Sequence, residues 1–74
     1  MVRMTDESRQ ELENLLEEFE GDMFALSEEY YNHGICYVCG NVQSGVEPDA
    51  EGYECNECSE HAVGGIELAM VNLI

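Results

Sequence analysis

Four cysteines in two close pairs constrain this chain more than any other feature of its sequence. Cys36 and Cys39 form one Cys-x-x-Cys pair, Cys55 and Cys58 form another, and 15 residues separate the pairs. Each pair can form a tight turn that directs both sulfur atoms at one point, and two facing turns supply the four ligands of a tetrahedral ion. The spacing therefore predicts a structural zinc site with all four cysteines as its ligands.

Four alternatives compete with structural zinc bound by four thiolates. Iron suits the same ligands in a rubredoxin-type site and would imply electron transfer by a coloured protein. Two disulfides are disfavoured because residues 1–10 lack the apolar region of a signal peptide, and a thioredoxin-like redox pair lacks its βαβ setting. His61 lies three residues after Cys58 and can replace it as a ligand, but four cysteines already complete a zinc shell.

The residues that follow each pair differ in their suitability for a tight turn. Gly40 follows the first pair, where a turn of this kind often requires a positive φ that glycine adopts without strain. Ser59 occupies the equivalent place after the second pair. We therefore expect the second turn to be the less favourable one.

Three runs of residues resemble those of a known class of protein. The runs Cys36-Tyr37-Val38-Cys39-Gly40 and Tyr53-Glu54-Cys55-Asn56-Glu57-Cys58 resemble the two knuckles of a zinc ribbon of rubredoxin type. Residues 44–50 (Ser-Gly-Val-Glu-Pro-Asp-Ala) resemble a run in small, mostly uncharacterised zinc-ribbon proteins of bacteriophages and bacteria. The resemblance covers about residues 34–66 and implies a zinc-binding ribbon of short antiparallel strands, but it implies little about activity.

Negative charge is the second constraint. The chain has 17 acidic residues and only two basic ones, Arg3 and Arg9, for a formal net charge of −15 at pH 7. Phosphate binding depends on lysine and arginine, so we expect no direct binding to nucleic acid or to an anionic membrane. The favoured partner is a protein with a basic surface. Without an apolar run of about 18 residues, and with reduced cysteines, we expect a cytoplasmic protein, located in a bacterial host if it is phage-encoded.

Residues 5–33 are predicted to form an acidic amphipathic helix. Apolar residues recur in steps of four and three, which is helical periodicity, at Leu12, Leu16, Phe19, Met23, Leu26 and Tyr30. Thr5 suits the N-cap, with Ser8 as a second possibility, and Gly34 suits the position just after the helix. His33 suits a capping role at the same end. We predict one helix over about 6–32; because Gly21 interrupts the pattern, the alternative is two shorter helices divided there.

The apolar stripe of this segment also fits the a and d positions of a coiled coil. A homodimer would place acidic residues against each other with no lysine to neutralise them. We therefore expect the stripe to pack against the cysteine-containing region or against another protein.

The remainder of the chain is predicted to be extended and then apolar. Short strands are expected at 35–38, 52–54 and 61–63, with a loop over 41–52 and a break at the glycine pair 64–65. The tail fits one face of a helix or of a strand, and we favour a short helix. The predicted architecture is a small α+β fold in a single domain over 1–74, with the helix at 5–33, the zinc ribbon at 34–64 and an apolar element at 65–74.

The acidic helix suggests a function. Ten acidic residues between positions 6 and 29 would lie along about 35 Å of helix, close to the one charge per 3.4 Å or so of a DNA strand. We therefore hypothesise a zinc-stabilised, DNA-mimicking inhibitor of phage type, such as an anti-CRISPR or other anti-defence protein, that blocks a basic nucleic-acid-binding surface. The expected partner-binding residues are Glu7, Glu11, Glu13, Glu17, Glu18, Glu20 and Asp22.

A second hypothesis assigns function to the cysteine knuckles. The chain would then be a zinc-ribbon accessory or transcription-linked adaptor protein, and its acidic helix would only keep it soluble. Catalysis is not expected in either case, because a catalytic zinc keeps an open coordination position that four cysteines do not leave.

Overall fold

The structure, a computed structural model, describes residues 3–73. Its elements are α1 (Asp6–Glu18), α2 (Met23–Glu29), β1 (His33–Cys36), β2 (Val42–Ser44), β3 (Tyr53–Glu54), β4 (His61–Gly65) and α3 (Ile66–Leu73). The strands form one antiparallel sheet in the order β2-β1-β4-β3. The predicted small α+β fold is thus confirmed, while residues 1, 2 and 74 of the predicted domain lie outside the described part.

The predicted helix over 5–33 is wrong as a single element, and the alternative of two helices is correct. Glu20 and Gly21 have φ values of 55° and 79° between α1 and α2, and a residue in this left-handed region commonly ends a helix. Asp22 then starts α2, because its carboxylate accepts hydrogen bonds of 3.1 Å from two backbone N–H groups of that helix.

The start of α1 agrees with one of the two predicted caps. The Thr5 side chain accepts a hydrogen bond of 3.2 Å from the backbone N–H of Ser8. The alternative cap, Ser8, has another role. Its fully buried hydroxyl donates a 2.7 Å hydrogen bond to the carbonyl oxygen of Cys36.

Neither His33 nor Gly34 caps a helix, contrary to the prediction, because α2 already ends at Glu29. His33 begins β1 and its ring meets that of Tyr30 edge-on, with 4.9 Å between ring centroids. Gly34 lies within β1 and is paired with both neighbouring strands. The four residues from Tyr30 to His33 therefore turn the chain from helix into sheet.

The strands depart from the prediction at three places. β1 occupies 33–36 rather than 35–38, because residues 37 and 38 already belong to the first cysteine turn. β2 lies inside the segment that was predicted to be loop. Gly64 and Gly65 continue β4 and do not break it.

Gly65 is in the sheet because a loop lies directly on it. The backbone N–H of Gly65 donates to the carbonyl of Ala50 at 2.9 Å, and that of Leu68 donates to the carbonyl of Pro48 at 3.3 Å. A Cβ atom added at Gly65 would lie only 2.2 Å from the Pro48 carbonyl oxygen. The loop therefore caps α3 with a backbone carbonyl, and only glycine leaves room for it.

The core lies between the sheet and the three helices. Leu12 of α1 and Leu26 of α2 are fully buried, and the other residues of the predicted apolar stripe pack against the core. The prediction that this stripe packs on the cysteine-containing region is confirmed. The tail forms the favoured short helix, α3, which buries Ile66, Ala69 and Met70. Ile74 lies outside the described residues.

Candidate metal centre

The structure brings the four cysteine sulfur atoms together. All four Sγ atoms lie within 4.8 Å of one another. The Sγ atoms of Cys36 and Cys58 are 3.6 Å apart, as are those of Cys39 and Cys55. A tetrahedron with metal–sulfur bonds of about 2.3 Å has edges of about 3.8 Å. The cluster therefore fits a single ion with four thiolate ligands.

Two turns with the same backbone hydrogen bonds position these sulfur atoms. The first knuckle, residues 36–41, and the second knuckle, residues 55–60, each start with a cysteine whose N–H and C=O are both bonded within the turn. The bonds run from Cys36 N to Asn41 O (2.8 Å), Gly40 N to Cys36 O (2.9 Å), Cys55 N to Glu60 O (2.9 Å) and Ser59 N to Cys55 O (3.0 Å).

The fifth residue of each knuckle has the positive φ that the turn requires. Gly40 has a φ of 82° and Ser59 a φ of 65°. The left-handed region costs a non-glycine residue roughly 1–2 kcal/mol. The second knuckle therefore carries backbone strain that the first does not, as the sequence predicted.

Backbone N–H groups point at the first sulfur of each knuckle. The N–H groups of Val38 and Cys39 each lie 3.4 Å from the Sγ of Cys36, and that of Glu57 lies 3.3 Å from the Sγ of Cys55. Such donors stabilise a thiolate in preference to a thiol. Each turn thus directs backbone N–H donors at a sulfur atom that would carry negative charge in a metal-bound site.

The thiols differ in their affinity for protons. Burial alone would raise the pKa of Cys55, but the backbone N–H groups of Cys58 and Glu57, together with the side chains of Cys39 and Cys58, lower the pKa to about 7. Burial raises the pKa of Cys39 to about 12, and the neighbouring cysteine side chains add to the rise. Binding of a cation deprotonates coordinating thiols outright, so metal uptake at this cluster must release protons.

Helix α1 holds the first knuckle in place. Besides the bond from Ser8 to the Cys36 carbonyl, the Thr5 hydroxyl donates to the Val38 carbonyl at 2.8 Å. The Thr5 N–H donates to the Tyr37 carbonyl at 2.9 Å. Three carbonyl groups of this knuckle are therefore bonded to the start of α1.

The second knuckle has fewer supports of this kind. Gln43 of β2 accepts a 3.0 Å hydrogen bond from the N–H of Asn56 and donates one of 3.1 Å to the carbonyl of Glu54. Of the residues between the two cysteines and after them, Asn56, Glu57, Ser59 and Glu60 are exposed. A side chain of β2, at the opposite edge of the sheet from β3, therefore supports the second knuckle, whereas a helix supports the first.

The geometry decides two of the alternatives to a four-cysteine metal site. All four cysteines are free, and the shortest distances between their sulfur atoms, 3.6 Å, exceed the disulfide bond length of about 2.05 Å. The disulfide alternative is therefore wrong. His61 is exposed on β4, and the cluster found among the described residues consists of cysteines alone.

The seven predicted partner-binding acids are all exposed. Five of them, Glu7, Glu11, Glu13, Glu17 and Glu18, lie on α1, while Glu20 and Asp22 lie in the turn after it. α1 has 13 residues, or about 20 Å of helix. The prediction of a continuous helical row of acidic residues about 35 Å long is therefore wrong, since the break at Gly21 divides the helix.

Sequence reasoning missed the residues that support the cluster from outside. The sequence predicts only a capping role for Ser8, although Ser8 lies four residues before Leu12 and therefore on the buried face of α1. That position was the available signal, because a serine on a core-facing stripe requires a partner. Gln43 gave no signal, since its role depends on a strand that was predicted to be loop.

No protein-family model, curated protein or solved structure matches this chain. The structure establishes four cysteines within metal-binding distance, in an arrangement compatible with a zinc-binding knuckle. Over residues 3–73, no helix has both the length and the apolar character needed to span a membrane.

Proposed function

We propose that this chain is a small protein-binding module of zinc-ribbon type, held together by one structural Zn²⁺ on Cys36, Cys39, Cys55 and Cys58. The observation that carries the proposal is the cluster of four sulfur atoms, two pairs of which are 3.6 Å apart. Zn²⁺ is most often four-coordinate in structural sites and accepts four thiolates. Such a closed shell leaves no position for a substrate, so the ion's role is to stabilise the fold.

Metal content distinguishes zinc from iron. Protein produced in medium that contains both metals is expected to carry one zinc per chain by elemental analysis and to be colourless. An iron-loaded protein would be coloured, because iron–thiolate centres absorb visible light, and it would favour electron transfer. As a control, Cys55→Ser protein should lose the bound metal.

The exposed acids support the second half of the proposal, a partner with a basic surface. On a helical projection of 100° per residue, the acids of α1 occupy an arc of roughly 160° opposite the buried face that contains Ser8 and Leu12. No lysine occurs in the chain. A surface of this kind attracts the arginine and lysine residues that otherwise contact phosphate groups. The proposed role is therefore to cover a nucleic-acid-binding surface of another protein in the bacterial cytoplasm.

A charge-reversal experiment tests this role. The variant Glu13→Lys, Glu17→Lys, Glu18→Lys reverses exposed charge on α1, and it leaves Glu11 unchanged because that side chain packs near Gly40. Zinc-loaded protein is used to capture partners from a bacterial lysate, followed by mass spectrometry. We expect the captured partner to be displaced by added DNA and by salt, and to be lost with the variant.

The control variant is Glu29→Lys, Asp49→Lys, Glu51→Lys, which changes the net charge by the same amount at exposed positions outside α1. It should retain the partner. An adaptor that works through its knuckles gives the opposite pattern: capture survives charge reversal on α1 and is lost when exposed knuckle residues such as Asn56 and Glu57 are changed.

A further inference from the structure

A groove between α2 and α3 is open to solvent although its lining is mostly apolar. It has a volume of about 240 Å³ and is lined by Met23, Phe24, Ser27, Glu67, Met70 and Val71. Phe24 is 73% exposed and Val71 is 66% exposed, the two highest values among the large hydrophobic residues described as exposed. Both side chains line one groove, and contiguous apolar surfaces mark interaction sites more often than single exposed residues do.

The two helices that form the groove are held in place by contacts other than those of its two exposed side chains. The cap at Asp22 fixes the first turn of α2, from which Phe24 projects. The Ser27 hydroxyl donates to the Glu67 carboxylate at 3.3 Å and joins the two helices. Leu26 and Met70, which are buried, provide the packing between these helices and the core. The open groove is therefore a preformed surface.

The surroundings of the groove are acidic, and its lining contains no basic residue. Glu67 lies in its wall, and Glu28 follows Phe24 by one helical turn. Glu20 and Asp22 are exposed just before α2. No lysine or arginine occurs after Arg9 in the chain, so none of this charge is neutralised by a basic side chain nearby in sequence.

The acidic charge around the groove indicates which kind of partner binds there. A second copy of the chain would bring the same acids to the same surface, and two molecules of net charge −15 repel each other. We propose that the α2–α3 groove binds a short cationic amphipathic helix of another protein, which inserts a large apolar side chain between Phe24 and Val71. Lysine or arginine residues beside that side chain then face Glu67 and Glu28. Grooves between helices accept such segments through side chains spaced by three and four residues, and methionines adapt to their shape.

This inference rests on the proposed function in one respect, the basic character of the partner, and it adds the surface and the kind of segment.

The test uses the zinc-loaded full chain and a model peptide of leucine and lysine, about 18 residues long, with leucines at helical amphipathic spacing. Two control peptides are a scrambled sequence of the same composition and a version with glutamate in place of lysine. Calorimetry measures affinity, and nuclear magnetic resonance locates the site. We expect the amphipathic cationic peptide alone to bind and to shift the signals of Met23, Phe24 and Val71.

Two variants test whether the groove residues contribute to peptide binding. Phe24→Gln combined with Val71→Gln removes the apolar contacts at exposed positions and should weaken peptide binding at least about tenfold, as expected for contact residues at the centre of an interface. Tyr31→Gln is the matched control, because Tyr31 is 59% exposed but lies outside the groove, and it should bind as the unchanged protein does. Circular dichroism and zinc content should be unaffected in both variants.

Several results would overturn the inference. The first is that the Phe24→Gln, Val71→Gln variant binds the cationic amphipathic peptide as tightly as the unchanged protein does. The second is that the scrambled peptide binds equally well, or that no peptide binds. The third is that the protein forms a dimer that the groove substitutions dissociate. The charge reversal at Glu13, Glu17 and Glu18 separates this inference from the proposed function. If that variant loses the captured partner while the groove variant keeps it, the acidic face of α1 is the interaction surface and the groove is not.

Discussion

The two cysteine knuckles have the same internal hydrogen bonds but very different surroundings. The first knuckle lies against α1, which bonds the carbonyl groups of Cys36, Tyr37 and Val38 through Thr5 and Ser8. The second knuckle connects the paired strands β3 and β4, is exposed over most of its length, and is bonded through Asn56 to the side chain of Gln43 in β2. Packing therefore holds the first knuckle, whereas the proposed ion has the larger part in holding the second.

Removal of the metal should have the largest effect. Structural zinc contributes apparent binding energies of roughly 10–16 kcal/mol in small peptides, as much as the whole stability of a typical domain, about 5–15 kcal/mol. We expect chelation to unfold at least residues 34–64, as measured by hydrogen exchange with mass spectrometry. Exchange should rise first in 53–60 and later in 36–41. Simultaneous exchange in the two knuckles would contradict the difference between them.

The next largest effect is expected from substitutions at Gly40 and Ser59, the equivalent positive-φ positions of the two knuckles. Replacing each residue by the other should change the stability in opposite directions. Gly40→Ser introduces left-handed strain, and its Cβ would lie 2.8 Å from the Cγ of Glu11, so we expect a loss of about 2–3 kcal/mol. Ser59→Gly removes such strain and should stabilise the protein by up to about 1 kcal/mol, since glycine's greater freedom when unfolded offsets part of the gain. Denaturant unfolding of zinc-loaded protein measures both. A loss of stability in Ser59→Gly would show that the second knuckle is not strained.

The supports of the two knuckles can be compared by removing one side chain from each. Ser8→Ala removes one of the two hydrogen bonds to the buried Cys36 carbonyl, which still accepts from the N–H of Gly40, and should cost about 1–1.5 kcal/mol. Gln43→Ala removes two solvent-exposed hydrogen bonds, and water can replace them, so its cost should be below about 1 kcal/mol. Thermal unfolding with zinc present tests the order. If Gln43→Ala were the more costly, the first knuckle would not be the better supported one.

The smallest effect concerns the strand that leads into the second knuckle. The Tyr53 hydroxyl donates to the Glu47 carboxylate and lowers the pKa of Glu47 below its ordinary value of 4.5. The stability linked to this group is present above pH 4.5 and is lost as the pH falls through the lowered pKa. Tyr53→Phe should raise the pKa of Glu47 in a pH titration by nuclear magnetic resonance, with little change in unfolding free energy because both residues are exposed. Tyr31→Phe is the control, and a Glu47 pKa that stays low in Tyr53→Phe would show that the hydroxyl is not its cause.

The sequence was most informative where a local rule determines the geometry. Cysteine spacing identified the four residues that the structure brings together, and Gly40 and Ser59 adopt the positive φ that the knuckle pattern requires. The apolar steps from Leu12 to Tyr30 identified the buried face of the helical segment, and Gly21 marked the place where the helix divides. Each of these signals depends on residues close together in the chain.

The sequence was least informative where a distant segment decides the local structure. Gly65 looked like a strand breaker, yet it is in β4 because the loop around Pro48 occupies the place of a side chain. β2 is three residues long, too short for a periodic pattern, and it exists because β1 offers it a partner. Ser8 is buried where its hydroxyl donates a hydrogen bond to the Cys36 carbonyl. None of these contacts can be inferred from periodicity or spacing.

The strand order has a consequence for how each new molecule matures. Cys36 in β1 faces Val63 in β4, so the centre of the sheet joins segments on either side of both cysteine pairs. A nascent chain cannot close this pairing until translation has passed Gly65. Until then the sheet that holds the two knuckles together is incomplete, although the last of the four thiols, that of Cys58, has already been synthesised. We therefore expect a stable metal site to form only after the last strand has been synthesised.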